Sequence, residues 1–224
     1  MPTYKEIKGD TIEVVTSDPA NPGEGDIWYN STTGTIKGVG LIAAAWASGG
    51  SLSTARSELM GSVGTQTSTL VGGGGPGTSA TEEYDGSTWT AGGNRATSFF
   101  RVCNLGTQTA ALGFGGYSPT PIPTAPGRYS ISTEEYNGSS WTAGGNFPNG
   151  IQTAGATGTQ TAGLQATGIA GPYTSISTPA VASEYDGSTW SSGGSMPAGG
   201  DIAGASGTQT AALSIAGTGP LPPQ

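Results

Sequence analysis

The chain has no histidine among its 224 residues and only one cysteine. Without histidine, neither a Ser-His-Asp nor a Cys-His nucleophilic scheme can be built in its usual form, and the commonest metal ligand is missing. Cys103 is alone, so no disulfide forms within the chain, and it reads as a small buried hydrophobe. Charge is scarce as well: seven Lys plus Arg stand against fifteen Asp plus Glu, a net charge of -8. So few cations leave no basic footprint to displace phosphate counterions, which argues against nucleic acid as a partner. The acidic groups are spread thinly and read as solubility. No apolar run approaches the length needed to cross a bilayer, and no apolar segment follows Met1-Pro2-Thr3-Tyr4 as a secretory leader would. The expectation is a protein made in a cytoplasm, without membrane insertion and without a cofactor.

What is abundant is glycine, at 41 positions, set among Thr, Ser and Ala. That composition fits short strands joined by tight turns, and the aromatic residues recur in register, which low-complexity drift would not preserve. Gly-Thr-Gln-Thr occurs four times, at Gly64, Gly106, Gly158 and Gly207, preceded by Trp46, Trp89, Trp141 and Trp190. The gaps from Trp to Gly are 18, 17, 17 and 17 residues, whereas those from Gly to the next Trp are 25, 35 and 32. Half of the repeat is rigid and half accepts insertion. Repeats of this length build propellers or solenoids, because one unit cannot bury its apolar face alone.

Three units carry the phrases Glu83-Tyr84-Asp85-Gly86-Ser87-Thr88-Trp89, Glu135-Tyr136-Asn137-Gly138-Ser139-Ser140-Trp141 and Glu184-Tyr185-Asp186-Gly187-Ser188-Thr189-Trp190. Asp-Gly and Asn-Gly predict two-residue type I′ turns, so each phrase reads as strand, turn, strand. Tyr84, Trp89, Tyr136, Trp141, Tyr185 and Trp190 then supply the aromatic weight that packs one hairpin on its neighbour. Gly-Gly pairs follow at 49–50, 92–93, 144–145 and 193–194. With the strand before Gly-Thr-Gln-Thr and the one after it, each unit has four short antiparallel strands, which is one propeller blade. Residues 1–38 read as an N-terminal extension with short strands around Lys5–Lys8 and Thr11–Val15. Residues 39–218 read as an all-β propeller of about four four-stranded blades, and 219–224 as a Pro-rich tail. The fourth repeat lacks its hairpin, and Ile27-Trp28-Tyr29-Asn30-Ser31-Thr32-Thr33 resembles a worn copy of it. The expectation is therefore that residues 27–48 pair with 198–216 and close the ring, removing open edges.

The glycine-rich turn Gly72-Gly73, the phrase Glu83-Tyr84-Asp85, Trp89, and the links Phe147-Pro148 and Met196-Pro197 resemble the Kelch repeat of β-propellers, over residues 40–218. Galactose-oxidase-like Kelch enzymes hold copper with histidines, which this chain lacks. The units with Gly-Thr-Gln-Thr-Ala-Ala-Leu and Tyr-Asp-Gly-Ser-Thr-Trp look like repeats in structural proteins of marine and cyanobacterial tailed phages, and the stretch Pro22–Asn30 resembles segments of phage fibre proteins. That resemblance implies a virion protein: a tail fibre, an appendage or a capsid decoration. It further implies many copies or a homo-oligomer on the particle, contacts with other virion proteins through the N-terminal extension, and contact with a host surface glycan or protein.

Carboxylates are the remaining catalytic groups. Glu82-Glu83, Glu134-Glu135 and Glu184 fall on equivalent strand positions, one set per blade, and read as a solvated face rather than as two carboxylates converging on one bond. No catalytic and no metal-binding residue is assigned. Asp85, Asp186 and Asn137 are explained by turn chemistry. The inserts at 71–81, 113–132 and 165–182 fall between the same two strands of each blade, where binding surfaces are usually built. Tyr117, Arg128 and Tyr129 in the second and Tyr173 in the third are the candidate binding residues; the bland reading is that these loops cap the ring or meet a neighbour. Two other functions remain: a free carbohydrate-binding lectin, and a glycoside hydrolase that would lose turnover on Glu→Gln changes at Glu83, Glu135 or Glu184.

Overall fold

A computed structural model describes residues 12–23, 26–39, 48–59, 61–122, 127–171, 177–201 and 204–215. The chain divides into two compact units, Met1–Ser48 and Gly49–Gln224. Every regular element among the described residues is a strand.

The first unit holds one three-stranded sheet. Strand β1 (Glu13–Val15) runs parallel to β2 (Ile27–Asn30), which pairs antiparallel with β3 (Thr35–Gly38). Asp18 ties the sheet together, accepting from Trp28 Nε1 at 3.0 Å, Asn30 Nδ2 at 2.8 Å and Lys37 Nζ at 2.6 Å. The Lys37 contact, then those of Asn30 and Trp28, hold the Asp18 carboxyl well below its usual range.

The second unit repeats one module. Its first copy is β4 (Ser62–Thr65), β5 (Ser68–Gly72), β6 (Thr81–Tyr84) and β7 (Trp89–Ala91), in that order across the sheet. The second is β8 (Cys103–Thr107), β9 (Ala110–Phe114), β10 (Thr133–Tyr136) and β11 (Trp141–Ala143). A short strand β12 (Ile151–Gln152) precedes the third copy, which contains β13 (Gly155–Thr159) and β14 (Ala162–Ala166). Another short strand, β15 (Ile169–Ala170), pairs with β12 before β16 (Val181–Tyr185) and β17 (Trp190–Ser195) complete the sheet. A half-module of β18 (Gly204–Thr208) and β19 (Ala211–Ile215) follows. The first strands of successive modules, β4, β8, β13 and β18, pack side by side.

Each Gly-Thr-Gln-Thr is a strand end plus a two-residue turn. Gly64 faces Thr69 across the β4–β5 hairpin with φ of 113°, and a Cβ there would lie 2.0 Å from the Ser68 carbonyl oxygen. Only glycine fits so close an approach. The aromatic hairpins form as expected, with Tyr84 opposite Trp89, Tyr136 opposite Trp141 and Tyr185 opposite Trp190. Their turns differ from the expected type I′ form. Positive φ occurs at Gly86 but not at Asp85, and the Asp85 N–H donates to the Thr88 carbonyl at 3.2 Å. The turn is therefore centred on Gly86-Ser87, which frees the Asp85 carboxylate to accept the Ser87 and Thr88 N–H groups at 2.8 Å each.

The apolar core lies between modules. Val63 and Leu70 of the first meet Ala111, Tyr136 and Trp141 of the second. Leu105, Leu112 and Phe114 of the second meet Phe147, Tyr185 and Trp190 at the third, with Cys103 buried among them. The expected pairing of residues 27–48 with 198–216 is not found where both are described. Strand β2 already has β1 and β3 as neighbours, and β19 pairs with β18 alone among the described residues. Trp46 lies outside them.

Candidate functional site

A glutamine latch recurs at each of the three junctions, and tryptophan and tyrosine latches recur at the first two. Gln108, in the second module's turn, donates through Nε2 to the Thr69 and Tyr84 carbonyls of the first module, at 3.1 and 2.8 Å. Gln160 repeats this on Ala111 and Tyr136 at 3.0 and 2.8 Å, and Gln209 on Gly163 and Tyr185 at 3.1 and 2.9 Å. Trp141 and Trp190 donate through Nε1 to Thr81 and Thr133 of the preceding module, at 2.9 and 3.0 Å. The Tyr136 hydroxyl donates to Glu83, and that of Tyr185 to Glu135 at 2.5 Å. Burial, then the Glu83 carboxylate, pushes the Tyr136 phenol up to about 12, and burial with Glu135 raises Tyr185 likewise.

The glutamate pairs correct the expectation of a solvated face. Glu82 and Glu134 are 2 % and 3 % exposed. Glu82 accepts from Arg56 Nη2 at 2.8 Å and from the Ser53 and Thr54 N–H groups at 2.7 and 3.1 Å. Burial pushes this carboxyl up, but the Arg56 bond and the two N–H groups outweigh it and bring it to about 2. Glu134 accepts from Arg95 Nε at 2.6 Å, the Ala96 N–H at 2.7 Å and Thr97 Oγ1 at 2.9 Å. Arg95 also lies 4.9 Å from the centre of the Trp141 ring, a cation–π contact. Sequence reasoning missed these pairs because each arginine sits in a linker far from its glutamate. An arginine in the linker ahead of each Thr-Glu-Glu phrase was the available signal.

The insert loops are knit to the linkers by backbone bonds. Ser57 bridges to Gly75, the Gly74 N–H donates to Phe99, Phe100 bridges to Tyr117, and the Gly116 N–H donates to Ile151. Then β12 pairs with β15, and the Gly168 N–H donates to Gly200. These bonds form a belt across successive modules. Within the second insert, Tyr117 bridges to Tyr129, and Arg128 Nη1 donates to the Tyr117 hydroxyl at 3.2 Å. Tyr117 and Arg128 are half-buried side by side, as a small polar and aromatic surface. Tyr129 differs from expectation. It is 3 % exposed, because the linker at Gly150 closes on it so tightly that a Cβ there would lie 2.5 Å from the Tyr129 carbonyl oxygen. Its ring packs; it does not present a face. Tyr173 lies outside the described residues. No group of three or more His, Cys, Asp or Glu suited to a metal ion occurs among the described residues.

The fold and these junctions define a class: an all-β array of four-stranded antiparallel modules, each latched to the one before. No protein-family model and no curated protein matches the chain. Among solved structures it is similar to that of YjhT, with 13 % identity and a TM-score of 0.53. The match covers 63 % of this chain and 53 % of that one, so this chain spans about half the length of YjhT. The likeness is one of fold.

Proposed function

We propose that the protein is a non-enzymatic structural component of a tailed-phage particle, built from Kelch-like blades, four in count with the half-module as part of the fourth. One observation carries the scaffold part of this reading. Of the five repeated glutamates, four are engaged in holding the array: Glu82 and Glu134 on buried arginines, Glu83 and Glu135 on tyrosine hydroxyls of the next module. Carboxylates tied this way are positioning groups, not a converging acid–base pair. The phage part rests on the resemblance of the repeat phrases and of Pro22–Asn30 to virion proteins. In this role the N-terminal unit docks to the particle, and the belt of inserts, with Tyr117 and Arg128 at its surface, faces neighbouring virion proteins or the host. Many copies on one particle let weak contacts suffice.

High-resolution electron microscopy of the source particles tests this. Density for the chain on head or tail supports it, and density at a fibre tip adds host contact through the inserts. Absence from the particles overturns it and favours a free lectin, for which glycan-array binding through Tyr117 and Arg128 is the check.

A further inference from the structure

The three junctions inside the chain share one glutamine latch, and the ends of the array each keep half of that contact. At the first two junctions a leucine of the earlier module, Leu70 or Leu112, enters the later one, and at all three a glutamine reaches back to the earlier module's carbonyls. Leu70 and Leu112, used this way, are 2 % and 0 % exposed. Leu213 occupies the same position in the half-module, within the same Ala-Ala-Leu phrase as Leu112, yet is 71 % exposed; Ile215 is 56 % exposed. At the other end, Gln66 is the repeat glutamine of the first module. Gln108, Gln160 and Gln209 are half-buried on the carbonyls they bond, whereas Gln66 is exposed and has no hydrogen-bond partner among the described residues.

The first module also holds the empty counterpart of the leucine seat. Leu70 packs in one cluster with Ala111 and Trp141 of the second module. Their equivalents in the first module, Thr69 and Trp89, line an open cavity of about 480 Å³ together with Leu59, Gly61, Ser62 and Val71. The outer part of this face is already served within the chain, since Trp89 Nε1 donates to the Gly50 carbonyl at 3.0 Å and Gly49 lies against the Tyr84 hydroxyl. What stays open is the inner part, and the half-module consists of inner strands. The two ends are complementary, and among the described residues β19 pairs with β18 alone and leaves Leu213 exposed.

We propose that a second copy of this chain docks head to tail, seating Leu213 of one copy in the Thr69–Val71–Trp89 cavity of the next, with Gln66 donating to the Ala212 carbonyl. Ala212 is the equivalent of Thr69, Ala111 and Gly163, whose carbonyls accept the glutamines within the chain. Such a contact is heterologous, so it propagates until it closes as a ring of chains or grows as a filament. It also covers the apolar face of β19, where exposed Leu213 and Ile215 would otherwise invite disordered association. This inference rests on the repeat geometry alone and holds or fails whatever particle the protein belongs to.

Sedimentation velocity of the full chain over a concentration series is the test, with two exposed-site variants. Leu213→Glu removes the knob, and Ser62→Arg fills the cavity from an exposed position; circular dichroism checks that both fold. The wild-type chain is expected to form species larger than one copy as concentration rises, and each variant to stay a monomer. An equimolar mixture of the two variants is expected to form a 1:1 dimer and stop there, because one intact knob and one intact cavity remain between them. A wild-type chain that stays monomeric at every concentration overturns the proposal. So does assembly of Leu213→Glu equal to wild type, or a mixture that forms no dimer.

Discussion

The second and third modules fill one position with opposite chemistries. In the second, the linker residue two places after Gly-Gly is Arg95, bound to the buried Glu134 and lying over Trp141. In the third, that residue is Phe147, the glutamate position is Ser183, and Phe147 packs edge-on against Trp190 at 4.7 Å and stacks on Phe114 at 5.6 Å. Both residues change together. At both junctions the space against the tryptophan is filled, once by a guanidinium and once by a ring. A buried ion pair is weak evidence of net stability, since desolvation offsets much of the Coulomb attraction. Losing one partner is another matter.

The sharpest break of the comparison is Glu134→Ala. It strands Arg95, whose side chain is 1 % exposed and whose Nη1 and Nη2 already have no hydrogen-bond partner among the described residues. The expected loss is about 3–5 kcal/mol in urea unfolding, the cost of an uncompensated buried charge. A loss below about 1 kcal/mol would mean that water or a shifted partner reaches the guanidinium.

The first module tests the charged solution by pH. The folded Glu82 carboxyl lies at about 2, below its ordinary 4.5. A depressed carboxyl contributes stability above its unfolded value and loses it as pH falls toward the folded one. Stability should therefore decline between pH about 4.5 and about 2, and Glu82→Gln should flatten that decline while lowering stability at neutral pH. An unchanged acid profile in the variant would remove Glu82 from the account.

A milder variant carries the third module's solution into the second. Arg95→Phe with Glu134→Ser should unfold within about 1.5 kcal/mol of wild type, far better than Glu134→Ala alone, since a buried pair replaced by packed apolar groups is often neutral. A double-mutant cycle gives the coupling between the two positions. If the pair of changes costs as much as the sum of the single ones, the two modules are not interchangeable.

How much of this was legible in the sequence follows from the range of each interaction. The hairpins were readable because Tyr, Gly and Trp lie within six residues of one another and the turn chemistry is local. Their exact centre was not, since the Asp85 carboxylate competes for the Ser87 and Thr88 N–H groups and moves the turn by one residue. The glutamine latches were hidden in plain view: Gln is the polar constant of Gly-Thr-Gln-Thr, but its acceptors lie 24 and some 40 or more residues back, on carbonyls that carry no sequence signature. The arginine partners were harder still, because Arg56 and Arg95 stand at different distances after their Gly-Gly pairs. Tyr129 departs from the sequence expectation for a related reason. Aromatic and proline content marks a loop as stiff, whereas only the contact with Gly150 decides which ring is covered.

The smallest expected effect concerns a place where the modules differ by one atom type. Asn137 serves the second hairpin as Asp85 and Asp186 serve the first and third, its Oδ1 accepting the Ser139 and Ser140 N–H groups at 3.0 and 2.9 Å. Asn137→Asp should therefore change stability at neutral pH by no more than about 0.5 kcal/mol, as for an exposed site that keeps its bonds. Its acid behaviour is the discriminating part. The Thr189 and Ser188 N–H groups hold Asp186 at about 2, below its ordinary 3.8, so a carboxylate in this turn stabilises above 3.8 and loses that contribution as pH falls toward 2. The variant should track wild type at neutral pH and fall behind it only in that acid window, because Asn137 keeps its acceptor at every pH. Equal acid profiles for variant and wild type would show that the turn is held by Gly138 and the strand register, with the side-chain acceptor contributing nothing measurable.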